Sequence, residues 1–306
     1  MLAYLGRRLL QLAAVVFGIS TILFFLLRLS GDPVALLAGP TATREQVEEL
    51  RRALGLSAPL SVQYLTFLGK LARLDFGTSL WYNEAALKVV AGHLMPTLQL
   101  ALASMLFAVV LAFPIGIAIA VRRRAAASHL LAVLGLLGQT VPVFWLALLL
   151  ILFFAVHLRW LPSFGYGRPE QFVLPTLALG ALPLAKLMRL VRSGMLETLG
   201  EDFVRTARAK GLGERTVIYR HAARNMLIPV VTVIGLELGQ LIGGAVITET
   251  VFTWPGIGYL LIQAVTQRDY PLVQAIVFVV AVGVVLINFA VDLFYRLVDP
   301  RVGYAG

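Results

Sequence analysis

Five intervals of this chain, 9–27, 89–121, 125–158, 171–185 and 270–291, contain no Asp, Glu, Lys or Arg, and a sixth apolar stretch, about 226–247, is interrupted only by Glu237. Few folds accept such segments. A helix needs ~20 apolar residues to cross a hydrocarbon core of ~30 Å, and every interval except 171–185 is long enough. That interval is short and carries Pro175 and Pro183. It reaches spanning length if it continues through Lys186 and Arg189 with their charged heads snorkelling outward. Helices are expected because a bilayer offers no water to unpaired backbone, and nothing here shows the alternation of a barrel strand. The chain therefore reads as an all-α integral membrane protein with six transmembrane helices. A hydrophobic fraction of 59% with 14% charged residues agrees. Interval 9–27, after Arg7 and Arg8, is long for a signal-peptide core and no small-residue cleavage site follows it, so it is read as a retained first span.

Charge sets the orientation. With both termini cytoplasmic, the inner segments hold Arg7 and Arg8, then Arg122 to Arg124, nine Lys or Arg in 186–224, and Arg296 and Arg301 in the tail. These are sixteen of the 26 basic residues, whereas 31–88 carries six basic and six acidic ones. An excess of Lys and Arg in short loops marks the inner side. The expected organisation is a first helix in 1–30, an extracytoplasmic segment at 31–95, a core of five transmembrane helices at 96–296, and a tail at 297–306. In the outer segment, 43–56 has an acidic start and a basic end, which suits a short helix capped by Thr41 or Thr43. No internal repeat is visible.

Several chemistries are excluded. With no Cys there is no disulfide, thiolate nucleophile or cysteine metal site. His93, His129, His157 and His221 show no ligand spacing, so no metal site is expected. The net charge of +10 is spread between apolar segments rather than along one surface, and topology and anionic lipid explain it better than nucleic acid. The P-loop pattern G-x-x-x-x-G-K-[ST] is missing, so the chain is not expected to bind or hydrolyse ATP itself.

The longest basic run, EDFVRTARAKGLGERTVIYRHAARNMLIP at 201–229, lies between two apolar segments. Gly211 and Gly213 are expected to break one short helix from another, and the small Ala207, Ala209, Gly211 and Gly213 would let a partner approach the backbone closely. A loop needed only for topology has no use for that bend. Glu237 lies ~16 Å along a helix from Met226, near the middle of the core, where an ionisable group must be paired or face water. It reads either as a pathway residue facing a cationic or amino group of a solute or as a hydrogen-bonded packing carboxyl. Gly235, Gly239, Gly243 and Gly244 nearby permit close helix contact, with a second subunit or within the chain. Gln139, Gln240 and Asn288 read as polar groups bonding between helices. In VFTWPGIG (251–258), Phe252 and Trp254 suit an interfacial aromatic belt, while Pro255, Gly256 and Gly258 force a turn.

RTARAKGL (205–212) with RHAARNMLIPV (220–230) resembles the cytoplasmic coupling loop of ATP-binding-cassette importer permeases of the dipeptide/oligopeptide/nickel branch. That family's loop pattern is Glu-Ala-Ala, three residues, Gly, and later Ile or Leu before Pro. Here Ala207, Gly211, Ile228 and Pro229 match, while Arg205 and Thr206 replace the Glu and the first Ala, so no glutamate at 205 is available for ATPase contact. YLGRRLLQL (4–12), Gly31-Asp32-Pro33, LGL (54–56), Gln63-Tyr64, LDFGTS (74–79), WLPSFGY (160–166), GGAVITETVFTWPGIG (243–258) and Arg268-Asp269-Tyr270-Pro271 are similar to the same permeases in order along the chain.

The resemblance implies a type I ABC importer permease fold and a multi-pass place in a bacterial or archaeal plasma (inner) membrane. It implies an importer of di- or oligopeptides, with nickel or glutathione as alternative cargo. Arg205, Thr206, Ala207, Arg208, Ala209, Lys210 and Gly211, within a coupling loop at 192–225, would contact the ATPases. Glu237 and Gln240 would line the pathway, and Phe252, Trp254, Pro255 and Gly256 would form an outer gate or binding-protein contact. Implied partners are a related second permease chain, two ATPase subunits carrying the ATP and Mg, an extracytoplasmic binding protein and membrane lipid. A secondary carrier would instead show inverted repeats or ion-binding carboxylates in several spans, and only Glu237 and Asp292 are candidates. An intramembrane enzyme would need a nucleophile and base at depth, and none is evident.

Overall fold

A computed structural model describes residues 2–29, 34, 38, 42–53, 55–122 and 138–298; the Gly31-Asp32-Pro33 exit, Thr41, Arg123, Arg124, His129 and the tail from 299 lie outside them. In chain order the helices are α1 (Leu2–Leu29), α2 (Arg44–Ala53), α3 (Leu60–Leu71), α4 (Ala86–Val121), α5 (Val143–Leu150, continued by a π-helical turn Ile151–His157), α6 (Pro169–Thr198) and α7 (Asp202–Ala209). One turn at Glu214–Thr216 and a π-helical stretch Val217–Ala222 then lead into α8 (Ala223–Gly244), followed by α9 (Val246–Val251), α10 (Ile257–Thr266) and α11 (Tyr270–Val298). Among the described residues the architecture is helical, with an isolated β-bridge between Thr78 and Ala85. Three helices are long and apolar enough to cross a membrane, Ala86–Val121, Pro169–Thr198 and Tyr270–Val291. A fourth span results if Glu214–Leu227 and Pro229–Gly243, bent by 53°, count as one. Ala13–Leu26 and Val143–His157 are shorter apolar helices at two further expected positions. The bend falls at Pro229, which lacks the N–H for an i to i−4 bond.

The chain forms two compact units. The first comprises 1–97 and 255–285. Its core joins Phe76, Val90, Leu260, Leu272 and Ile276. In it, α2 begins with a reciprocal capping box: the Gln46 N–H donates to Thr43 Oγ1 (3.3 Å) and the Thr43 N–H to Gln46 Oε1 (2.9 Å). Of the two caps expected from sequence, Thr43 performs the task. Gln63 donates to the carbonyls of Leu56 and Ala58, and the Tyr64 hydroxyl pairs with Thr21 at 2.8 Å.

Two motifs that the sequence offers separately meet in this unit. The Asp269 carboxylate is fully buried and accepts from the Ser79 hydroxyl, from the Trp81 N–H (3.3 Å) and from the Leu272 N–H (3.1 Å). The last bond caps the start of α11, and the others tie LDFGTS to it across 190 positions of sequence. Thr97 performs a similar service for α10: its hydroxyl accepts from the Ile257 N–H at 2.8 Å, replacing the side chain that Gly256 lacks.

The second unit comprises 98–254 and 286–306. Here α4 and α6 approach to backbone contact. A Cβ on Gly116 would lie 2.8 Å from the Met188 carbonyl oxygen, and one on Gly180 2.9 Å from that of Ser104. Lipid gives helices no hydrophobic reason to associate, so close contact through small residues supplies it by dispersion. Gly235 does the same against Val291 of α11, while Gly243 faces open space. The glycine series on α8 therefore packs within the chain at Gly235 and Gly239 and leaves Gly243 uncovered.

Candidate functional site

The basic loop folds into a short clamped structure. Val204 and Ala207, three positions apart on α7, are buried in the core of the second unit. Arg205, Thr206, Arg208, Ala209 and Lys210 are left exposed on the remaining surface. Ala207 is thus an inward anchor and not one of the small residues open to a partner. The helix stops at Gly211, whose φ of +76° lies in the left-handed region. The Leu212 N–H returns to the Ala207 carbonyl and the Gly211 N–H to that of Arg208, which is a Schellman closure and explains why glycine stands there. The loop then turns back, and Arg208 grips Glu214 with two bonds, Nε to Oε1 at 2.7 Å and a second guanidinium nitrogen to Oε2 at 3.3 Å. That hydrogen bond holds the Glu214 carboxyl below the usual carboxylate range and pushes the Arg208 guanidinium above its ordinary value. The surface is basic, bent and fixed at both ends.

A second polar feature lies at membrane depth. Lys186 on α6 and Glu237 on α8 form an ion pair at 2.8 Å, with Glu237 only 7% exposed. Lys186 lies twelve residues, or ~18 Å, before the end of α6, and Glu237 lies fourteen after the start of α8 and eight past the bend at Pro229. The span does extend through both basic residues: Lys186 turns to Glu237, and the exposed Arg189 donates to Gln139 at 2.9 Å. A buried carboxylate supplies better solvation than a long reach to the interface. Gln240, three residues on from Glu237, is exposed in the single chain.

Phe252 and Trp254 are both buried, Trp254 with no exposure and its ring in edge contacts with Tyr166 (4.9 Å) and Phe172 (4.6 Å). The Gly165 N–H bonds the Phe252 carbonyl at 3.3 Å. They are therefore not an interfacial belt. Thr253 between them has a φ of +50°, a strained value for a β-branched residue. In the first unit Gly256 is buried and Pro255 half-buried. Sequence reasoning missed Lys186 as a partner; an opposite charge at matching depth in a neighbouring span was the available signal. Among the described residues no group of acids and histidines could hold a metal.

Residues 112–304 match the family described as binding-protein-dependent transport system inner membrane component, and residues 1–101 match its N-terminal region. The dipeptide transport system permease protein DppB of Alkalihalophilus pseudofirmus is 39% identical over 333 residues, covering 99% of this chain and 100% of that protein. The glutathione transport system permease protein GsiC of Salmonella paratyphi A is 40% identical over 305 residues, with 99% and 100% covered. Among solved structures the methionine ABC transporter MetNI is similar in fold, with a TM-score of 0.57 and 21% identity over 69% of this chain and 96% of that one.

Proposed function

Because this chain belongs to the binding-protein-dependent transport system inner membrane components, and is a permease subunit of an ATP-binding-cassette importer, we propose that it carries di- or oligopeptides into the cytoplasm. The observation that carries the mechanism is the clamped basic surface of α7. A coupling element must be stiff to pass on force, and α7 is anchored by Val204 and Ala207 and closed by Gly211 and the Arg208–Glu214 grip. Arg205, Thr206, Arg208, Ala209 and Lys210 dock in a cleft on a separate ATPase subunit, where ATP and Mg are bound. ATPase closure displaces α7, and its buried anchors pass that displacement to the spans.

Transport needs a second permease chain, a second ATPase and an extracytoplasmic binding protein that delivers the peptide. Glu237 and Gln240 face the pathway when the Lys186 pair opens, Glu237 then accepting the peptide's ammonium group. Phe252, Trp254, Pro255 and Gly256 act at the outer gate through the strained backbone at Thr253 rather than by side-chain contact, since both aromatics are interior. A glutathione cargo is a second reading, favoured by the equally similar relative of that name; nickel is a third within the same branch.

Affinity purification of the tagged chain from its native membrane tests this reading, with ATPase activity assayed on the eluate. Recovery of a second permease and two ATPases, stimulated by a peptide-loaded binding protein, supports it. Stimulation by glutathione alone would move the cargo to the second reading. Isolation of the chain with no ATPase attached would remove the coupling role from α7.

A further inference from the structure

A groove of about 590 Å³ opens in the second unit between the inner end of α4 and the start of α8. Phe113, Pro114, Ile117 and Leu227 supply apolar walls, and Arg220 and Arg224 stand at its edge. Phe113 and Ile117 lie eight and four residues before the end of α4, or ~6–12 Å inside it. The groove therefore runs from headgroup depth into the upper hydrocarbon.

The basic residues of this region fall into two groups, and Arg220 and Arg224 belong with Lys210 and Arg215, which are exposed and have no polar partner among the described residues. Lys186, Arg189, Arg205 and Arg208 all have a carboxylate or amide partner. Among the described residues neither Arg220 nor Arg224 has a hydrogen-bonded or ion-paired partner, and both are exposed. They sit about one helical turn apart on one face, so two like charges adjoin with no acid between them. What fits must bring negative charge to the arginines and hydrocarbon to the walls. A soluble anion would leave the apolar wall empty, and an ordinary apolar protein surface would leave the guanidiniums unpaired.

We propose that this groove binds one anionic phospholipid of the inner leaflet, its phosphate bridged by Arg220 and Arg224 and the upper parts of its acyl chains lying on Phe113, Pro114, Ile117 and Leu227. Two guanidinium forks suit the paired oxygens of a phosphodiester. Tyr219, exposed beside Arg220, adds a phenol at headgroup level. Basic pockets between spans on the inner side are where anionic lipids are held. The lipid would brace the hinge where the loop enters α8, tying import activity to membrane composition.

Native mass spectrometry of the delipidated importer complex, titrated with phosphatidylglycerol or phosphatidylcholine, tests the site. Phosphatidylglycerol should bind about twenty- to thirty-fold more tightly at one site per copy of this chain, from ~1 kcal/mol for each arginine. R220Q/R224Q should bring the two lipids to within about twofold. If that variant fails to assemble, I117W, which fills the groove and keeps both charges, should lower phosphatidylglycerol binding instead. Equal binding of the two lipids by the unmodified complex, or an unchanged preference in the variants, overturns the proposal. So does a photocrosslinker at position 227 that captures a partner subunit rather than lipid.

Discussion

The ion pairs Arg208–Glu214 and Lys186–Glu237 have almost the same separation and opposite settings. Arg208 and Glu214 meet at 2.7 Å with both side chains largely in water, whereas Lys186 and Glu237 meet at 2.8 Å with the carboxylate nearly enclosed between spans. Distance alone does not rank them. In water the Coulomb gain is small and screened, and the pair holds a shape more than it stabilises a fold. Inside the span each charge would be costly alone, so the pair matters chiefly through what either partner becomes when the other leaves. One contact is a clasp on a loop; the other is a condition for burying two helices.

The comparison breaks most readily at Glu237. Glu237→Ala should cost about 2–3 kcal/mol, short of the ~3–5 of a fully buried pair because Lys186 keeps partial access, and it should lower the melting temperature of the purified complex. K186M/E237L should recover much of that loss. If the double variant also imports peptide at the normal rate, Glu237 has no place in the pathway.

A carboxylate held by neutral donors sharpens the contrast. Asp269→Ala removes the cap on α11 and the bonds from Ser79 and Trp81. The expected loss is about 2 kcal/mol, read from the same melting curve. Gly211→Ala should cost about 1 kcal/mol, because the turn keeps its left-handed φ. Its larger effect should be on substrate-stimulated ATPase activity, and equal losses of stability and coupling would argue against a dedicated docking turn.

The smallest thermal effect belongs to Glu214→Gln, which should leave melting unchanged and loosen the turn. Spin labels at 209 and 215 would report a broadened distance. The pH dependence has a definite sign: the Glu214 carboxyl is depressed in the folded chain by its bond from Arg208. The pair's contribution is therefore present above the ordinary carboxylate range and lost as pH falls through the lower folded value. The spin-label distance should hold from pH 8 down to pH 5 and broaden only below that range.

The features legible beforehand were those carried by neighbours in sequence. The uncharged intervals mark apolar helices, Thr43 and Gln46 are three apart, and Gly211 sits where a helix has to stop. Contacts between distant segments left no such trace. Ser79 and Asp269 are brought together by tertiary packing, and nothing periodic links Lys186 to Glu237 across 51 positions. The burial of Trp254 was illegible for a related reason. An aromatic beside a Pro-Gly turn near a span end suits an interface, but Tyr166 and Phe172 provide a dry slot that only the folded chain reveals. The Arg208–Glu214 bond lies between these cases: its charges were countable, but the turn that faces them was not.

The two glycine contacts between α4 and α6 have a mechanical consequence. They touch the partner backbone at Ser104–Gly180 and at Gly116–Met188, points ~18 Å apart along α4 and ~12 Å along α6. One such pin would let the helices swivel. Two pins remove both swivel and slip, so α4 and α6 form a truss. α7 follows α6 within four residues and is rooted in the same core. A displacement of that short helix would therefore tilt α4 and α6 together as one beam, and the travel would grow with distance from α7.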